Sequence, residues 1–299
     1  MSRYDLCLAW NWEYDADFVL LIEAACAARG LSLLQVTPQS LDQVLAGLEN
    51  GEIAYKTLFD RASESDPRFQ PLVDWATRHR TFCMNPQERT IWSGDKATMH
   101  LEFISRGLYT PYTIILSPYS KHTSIHPSDL GPLGASFAIK PACEGGGNGV
   151  ILEATSWEQI LNARQHYPHE KYLLQAHVTT CSLDGRPAWF RVLFCDGAVY
   201  PCWWDQRTHV YGRVTAEEKA RFGLRNLREI PTRIAQICGL HLFSTEIART
   251  EEGTFLAVDY VNDPVDLRLQ SKAVDGVPDV YVESIAARLV RLADKHRAD

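Results

Sequence analysis

The chain has 299 residues, 30 Lys and Arg against 37 Asp and Glu, and is 45% apolar and 10% aromatic. That length calls for two or three linked lobes, and that composition excludes a disordered chain. The formal charge of −7, with no basic stripe, argues against nucleic acid as a partner. No apolar run approaches the ~18 residues needed to span a bilayer, and Met-Ser-Arg-Tyr-Asp does not open a signal peptide, so the expectation is a cytoplasmic protein with no membrane partner. Eight cysteines form no C-x-x-C pair and read as buried free thiols rather than a zinc or disulfide framework.

Strand and helix patterns alternate through the first third. Residues 4–9, 31–36, 55–59 and 81–84 read as strands, and 15–28 and 69–78 as helices, the first of these helices stopping at Gly30. Ser40 with Gln43 has the pattern of a capping box for a further helix to about Leu48. This alternation predicts a small parallel α/β lobe over 1–93. Asp95 then caps a helix that stops at Gly107, and a strand follows at 112–116. Pro118, Pro127 and Pro132 mark 117–135 as loop or flexible cover.

The central feature is the run from Phe137 to Leu152. An apolar stretch ends in Lys140-Pro141, the loop carries Gly145, Gly146, Gly147 and Gly149, and Val150-Ile151-Leu152 is a second apolar stretch. Glycines leave backbone N–H groups uncovered, so an anion can approach them closely. Walker A is excluded because no lysine follows the glycines. The dinucleotide fingerprint is excluded because a strand follows where that motif needs a helix. What remains is a strand–loop–strand hairpin over a phosphate, with an ordinary glycine-rich surface turn as the alternative.

Thr155 with Glu158 reads as a capping box for the next helix, and 172–175 as a strand. Strands at 188–194 and 198–202 pair about Asp196-Gly197. Thr215 with Glu218 caps a helix, Pro231 restarts it before Gly239, and 242–249 and 254–260 form a hairpin about Glu251-Glu252-Gly253. An amphipathic helix over 279–295 closes the chain.

Charges in the middle of apolar strands need partners. Lys140 follows Phe137-Ala138-Ile139, Arg191 sits in Trp189-Phe190-Arg191-Val192-Leu193, and Asp259 interrupts Phe255-Leu256-Ala257-Val258. Glu246 faces Asp259 across the last hairpin, with Asn262 beyond. Two carboxylates and an amide oxygen suit Mg²⁺, or Mn²⁺ in its place.

In order and spacing, Asp95-Lys96, the glycine hairpin, Leu173-Leu174-Gln175-Ala176-His177-Val178, Phe190-Arg191-Val192, and Thr245-Glu246-Ile247 with Val258-Asp259-Tyr260-Val261-Asn262 resemble the ATP-grasp superfamily, over nearly the whole chain. The resemblance implies an α/β fold, α+β in the ATP-grasp lobes, with a Rossmann-like lobe at 1–93, a central lobe at 94–177 and a C-terminal lobe at 178–299. It implies ATP and Mg²⁺, with Lys96, Lys140 and the four glycines on the phosphates. Gln175 would face the adenine edge, with the backbone of Ala176 and Val178 beside it. Asp184 would reach a ribose hydroxyl, though within Leu183-Asp184-Gly185 it is equally a turn residue. Arg191, with Lys140, would contact the transferred phosphoryl group, and Glu246, Asp259 and Asn262 would hold the metal. The superfamily's usual carboxylate-x-Asn is here Asp259-x-x-Asn262, so either a bulge brings Asn262 into place or Asp263 completes the site.

The activity implied is carboxylate–amine or carboxylate–thiol ligation through an acyl-phosphate. A kinase on the same scaffold and a nucleotide-binding module without turnover are the alternatives. The substrate would be a small molecule, an amino acid or a peptide, and a homodimer is compatible. Trp10 to Glu13 and Asp60 to Ser63, with Arg61 pairing a carboxylate, are candidates for contacting it. So are Trp203 to Gln206 on the acceptor side, and Asp266, Arg268, Ser271 and Lys272.

Overall fold

The computed structural model describes residues 1–123 and 130–297. The part of the proline-rich segment that includes Pro127 lies outside the described residues.

The chain begins as β1 (Ser2–Trp10), α1 (Ala16–Arg29), β2 (Leu33–Val36), α2 (Leu41–Glu49), β3 (Ile53–Arg61), α3 (Gln70–Arg78) and β4 (Phe82–Met84). All pairings in this sheet are parallel, in the order β2-β1-β3-β4. The crossovers bury both faces, which is why Leu6, Cys7, Leu8 and Ala9 are all fully buried in succession. The box expected at Ser40 does not form. Ser40 is itself helical, and its hydroxyl accepts from the Thr37 amide at 3.0 Å, so α2 grows out of a Thr37–Ser40 turn.

A helix absent from the sequence reading, α4 (Gln87–Gly94), leads directly into α5 (Lys96–Ser105). The break between them is Asp95, extended at φ −73°, ψ 98°, whose carboxylate accepts from the Ala97 and Thr98 amides. Then come β5 (Thr113–Leu116), β6 (Phe137–Pro141), β7 (Ile151–Ala154), α6 (Trp157–His166) and β8 (Tyr172–Ala176). The strands make an antiparallel sheet ordered β5-β8-β6-β7. The capping box of α6 lies one residue later than expected, on Ser156 and Gln159. That frame turns Ile160 into the core, where it is fully buried.

The small hairpin β9 (Ser182–Leu183) and β10 (Arg186–Pro187) precedes β11 (Trp189–Cys195), β12 (Ala198–Trp204) and β13 (Tyr211–Arg213). Asp196 and Gly197 both have positive φ, 40° and 82°, the backbone of a tight hairpin turn. Helices α7 (Ala216–Arg221) and α8 (Asn226–Cys238) follow, then β14 (Leu242–Arg249), β15 (Phe255–Asn262) and α9 (Asp279–Lys295). Thr215 and Glu218 form the expected box. Pro231 does not restart a helix. It lies inside α8, buried beside Leu227, Ile230 and Ile234, where apolar burial offsets one missing helical hydrogen bond. The third sheet runs β13-β12-β11-β14-β15, antiparallel throughout.

Helix α9 returns to the first sheet. Val282, Ile285 and Leu289 share one apolar cluster with Leu6, Phe18 and Ile22 and with Leu193 and Leu242 of the third sheet. The N-terminal and C-terminal parts are therefore joined by a common core, which fixes the strand ends of one against the hairpins of the other. No described helix is long and apolar enough to cross a membrane.

Candidate active site

The site begins with strand register. Arg191 on β11 lies directly opposite Glu246 on β14, and Glu246 opposite Asp259 on β15. Three charged residues on adjacent strands at matching positions share one face. Arg191 Nη1 donates to Glu246 Oε1 at 3.1 Å, and Trp189 Nε1 donates to Oε2 at 3.0 Å. The Arg191 guanidinium also donates to Ser244 Oγ through Nε and Nη2, and lies 5.0 Å from the centre of the Trp204 ring.

The register of β14 with β15 shifts between Ser244 and Glu246, so Ser244 pairs with Asn262 while Glu246 pairs with Asp259. The extra residue is a bulge, and beside it Asn262 Nδ2 donates to the Ser244 carbonyl at 3.3 Å. Asp263, the alternative, points elsewhere, accepting from Thr90 Oγ1 at 3.1 Å. Of the two alternatives, the strand pairing contains the bulge, and Asp263 is turned toward Thr90.

Lys140, on β6, donates to Gln175 Oε1 at 2.7 Å. Gln175 Nε2 donates to the Tyr260 hydroxyl at 3.2 Å, and His100 Nδ1 lies 2.6 Å from that hydroxyl. Gln175 and His100 are buried, so this chain of contacts anchors the Lys140 ammonium to fixed side chains. Lys96 opens α5 and donates to the Glu144 carbonyl in the glycine loop at 2.6 Å.

The electrostatics join these groups. Burial pushes the Lys140 ammonium below the ordinary lysine value and the Lys96 charge adds to this, while Asp259 and Glu246 oppose it. Burial works to raise Asp259, yet Lys140, Lys96, Arg191 and the Asn262 hydrogen bond hold it below the usual carboxylate range. Glu246 is raised by burial and by the Asp259 charge, against Arg191, Trp189 and Lys140. Two carboxylates that repel each other across one register position are what a divalent cation would relieve. Among the described residues no group of three or more His, Cys, Asp and Glu side chains could hold a metal ion. A cation between Glu246 and Asp259 would thus need further oxygens, from Asn262 and from a phosphate ligand. That donor set fits Mg²⁺.

The glycine loop has two different halves. Gly146 and Gly147 have positive φ, and a Cβ at Gly145, Gly146 or Gly147 would meet nothing within 4 Å. Gly149 is also left-handed, but a Cβ there would lie 2.6 Å from the Tyr167 ring and 3.2 Å from Pro141.

Other sequence-predicted residues fall at different places. Ala176 and Val178 line a cavity of about 250 Å³ with Leu256, but the Ala176 amide already donates to the Tyr112 carbonyl at 2.9 Å. Asp184 occupies a turn at φ 51° with its carboxylate ion-paired to Arg221. Arg61 does not face outward for a substrate carboxylate as the sequence suggested. Its Nε and Nη2 donate to Asp15 at 2.8 and 2.7 Å, in a pair almost wholly buried. Trp12 is half-exposed, with the Arg268 guanidinium 5.8 Å from its ring, and Arg268 is held by Asp266 and Asp275. Sequence reasoning missed Trp189, Ser244, Tyr260 and His100. A tryptophan or serine next to a strand charge carries no separate signal until the register is known. The cavity of about 1480 Å³ along the outer edge of the first sheet, lined by Trp75, His79, Arg80 and Phe82, holds none of the sequence-predicted site residues.

No protein-family model matches the chain, and no curated protein matches it in sequence. Solved structures do match in shape. D-alanine–D-alanine ligase from Bacillus anthracis, complexed with ATP, superposes with a TM-score of 0.64 at 10% identity over 99% of each chain. A RimK domain protein ATP-grasp from Sphaerobacter thermophilus gives 0.62 at 16% identity, over 97% of this chain and 100% of that one. The ATP-grasp ligase PsnB, complexed with its precursor peptide PsnA2 and AMPPNP, gives 0.61 at 12% identity over 99% of each. At these identities the likeness is one of fold.

Proposed function

From the ATP-grasp fold that this chain shares with those structures, we propose an ATP- and Mg²⁺-dependent ligase that activates a carboxylate as its acyl-phosphate and joins it to an amine or thiol. The observation that carries this reading is the half-buried cluster in which Arg191, Glu246 and Asp259 stand opposite one another on adjacent strands, within electrostatic reach of Lys140 and of Lys96 beside the glycine loop. Three cations around two carboxylates suit a ligand that brings several negative charges together with a divalent ion.

In this reading Lys140 and Lys96 bind the phosphates, and the open backbone at Gly145, Gly146 and Gly147 covers them. Glu246, Asp259 and Asn262 would hold Mg²⁺, or Mn²⁺ in its place, and the ion would supply neutralisation of phosphate charge. A substrate carboxylate oxygen attacks the γ-phosphorus, and the bond to the ADP leaving oxygen breaks. Arg191, kept in line by Ser244 and Glu246, neutralises charge on the transferred group. An amine or thiol then attacks the acyl carbon and phosphate leaves. The protein contributes position and charge rather than a nucleophile of its own. Gln175 and the strand end at Ala176 and Val178 form the adenine side, where Gln175 also steadies Lys140. Asp184, tied to Arg221, has no part in this reading.

The test is product analysis with ATP and Mg²⁺. A ligase releases ADP and phosphate only when both a carboxylate and a nucleophile are supplied. A phosphorylated hydroxyl product would replace this reading with a kinase, and nucleotide binding without ADP release would leave a binding module.

A further inference from the structure

The Arg191 guanidinium has five N–H donors, and the fold uses three of them. Nε and one Nη2 hydrogen go to Ser244 Oγ at 3.3 and 3.2 Å, and one Nη1 hydrogen goes to Glu246 Oε1 at 3.1 Å. One N–H on each terminal nitrogen keeps no partner among the described residues. Two such donors form the planar fork that takes two oxygens of a phosphoryl group. A fork of this kind works only if its plane is held at the right angle. The three bonds end on two oxygens, and two points define a line. About the line from Ser244 to Glu246 the plane could still tilt.

What meets the face of that plane is Trp204. Strand register puts Arg191 opposite Cys202, and residues two apart on a strand share a face, so Trp204 projects on the Arg191 side. The guanidinium carbon lies over its ring, 5.0 Å from the centroid. Trp203, by the same alternation, turns to the other face and packs on Phe190, with ring centroids 4.7 Å apart.

The Trp204 ring is itself braced. Tyr211, its cross-strand neighbour on β13, leans on it at 4.6 Å and 57°, and Gln270 Nε2 donates to the Tyr211 carbonyl at 2.8 Å. The His209 ring lies parallel to it within 6°, at 5.4 Å between centroids. His209 reaches that place from a left-handed backbone, φ 58°, which a residue with a Cβ seldom adopts. The turn that holds it there is tied at Asp205, whose carboxylate accepts from the Arg207 and Thr208 amides and whose carbonyl accepts from the His209 amide. The β12–β13 connection thus supports the ring that supports the arginine.

We propose that Trp204 is a positioning residue of the site: its ring fixes the tilt of the Arg191 guanidinium, so that the two spare N–H groups face the transferred phosphoryl group. The task given to Arg191 rests on the ligase reading; the contact that holds it does not.

The experiment is calorimetric titration of the whole protein, with Mg²⁺, against a non-hydrolysable ATP analogue and against ADP. Only the first carries the group that Arg191 would touch. Trp204→Leu fills the space without an aromatic face, and Trp204→Phe restores one. The expected result for Trp204→Leu is a loss of about tenfold for the ATP analogue and of less than about twofold for ADP, with most of the loss regained in Trp204→Phe. In an Arg191→Ala background Trp204→Leu should have no further effect, because the ring then has nothing to hold. The proposal is overturned by an unchanged ATP analogue in Trp204→Leu, by equal losses for both nucleotides, by equal losses for Leu and Phe, or by a loss that persists without Arg191. In each of those cases the ligase reading stands if Arg191→Ala alone weakens the ATP analogue and spares ADP. If Arg191→Ala alone leaves the ATP analogue as tightly bound as before, the arginine is not on the phosphoryl group, and the proposal and that part of the reading fall together.

Discussion

Two arginine–carboxylate pairs, both largely out of water, make opposite use of the same chemistry. Arg61 and Asp15 meet through two parallel hydrogen bonds with side chains 3% and 2% exposed. Their charges cancel, and the pair itself needs no third charge. Arg191 and Glu246 meet through one bond at 3.1 Å, at 20% and 13% exposure, with Asp259, Lys140 and Ser244 crowding the same space. The first pair is closed and serves the scaffold, joining the end of β3 to the loop before α1. The second is open, with more charge than it can settle internally, and that surplus is what a phosphate and a divalent ion would use. A buried ion pair thus signals structure or function according to whether its charge is settled within the pair.

The sharpest way to break this comparison is at the open cluster. Glu246→Gln with Asp259→Asn should lower Mg²⁺-dependent ADP release by about 10³-fold or more while the circular dichroism spectrum stays native; normal turnover would place the metal elsewhere. Lys140→Ala should lower ATP turnover by about 10²–10³-fold, and an unchanged rate and affinity would sink the assignment of that lysine. At the closed pair the expectation reverses. Arg61→Ala should cost about 3–5 kcal/mol of stability by denaturant titration, because Asp15 is left buried and unpaired. Arg61→Met with Asp15→Leu should recover most of that loss. Arg191→Ala should cut turnover about 10²-fold with a far smaller loss of stability than Arg61→Ala; equal destabilisation would erase the contrast drawn above.

The smallest effect lies between the two regions, at Asp263. Burial raises its carboxyl to about 6, with Glu64 adding to this and Asn85, Thr90 and Arg61 opposing it. The folded protein therefore holds a proton that the unfolded chain releases near pH 4, and stability falls as pH rises from about 4 to about 6. Asp263→Asn should flatten that slope by about 2 kcal/mol across the window, read as melting temperature against pH in the absence of nucleotide. An identical slope in both proteins would place the titration on another group.

What the sequence discloses follows from the range of the interactions involved. A charge inside an apolar strand is a local contradiction, so Lys140, Arg191, Glu246 and Asp259 stand out along the chain itself, as does the amphipathic period of α9. The bulge before Asn262 is legible only as one of two alternatives, because spacing shows an extra residue but not where the ladder absorbs it. Arg61 misleads because its partner Asp15 lies 46 positions away and no local pattern joins them. Helix α4 is hidden because Asp95 is so strong a start signal that it masks the helix ending at Gly94. The Gln175–Tyr260–His100 chain spans α5, β8 and β15 and has no counterpart along the sequence.

The unequal halves of the glycine loop carry one more consequence. At Gly149 the backbone is closely packed: Tyr167 and Pro141 leave no room for even a methyl group. From Gly145 to Gly147 nothing crowds the chain, and Lys96 holds the adjoining Glu144 carbonyl by a single bond. The loop is open at one end and packed at the other, so a phosphate that drew Lys96 away from Glu144 would reach it from the open end.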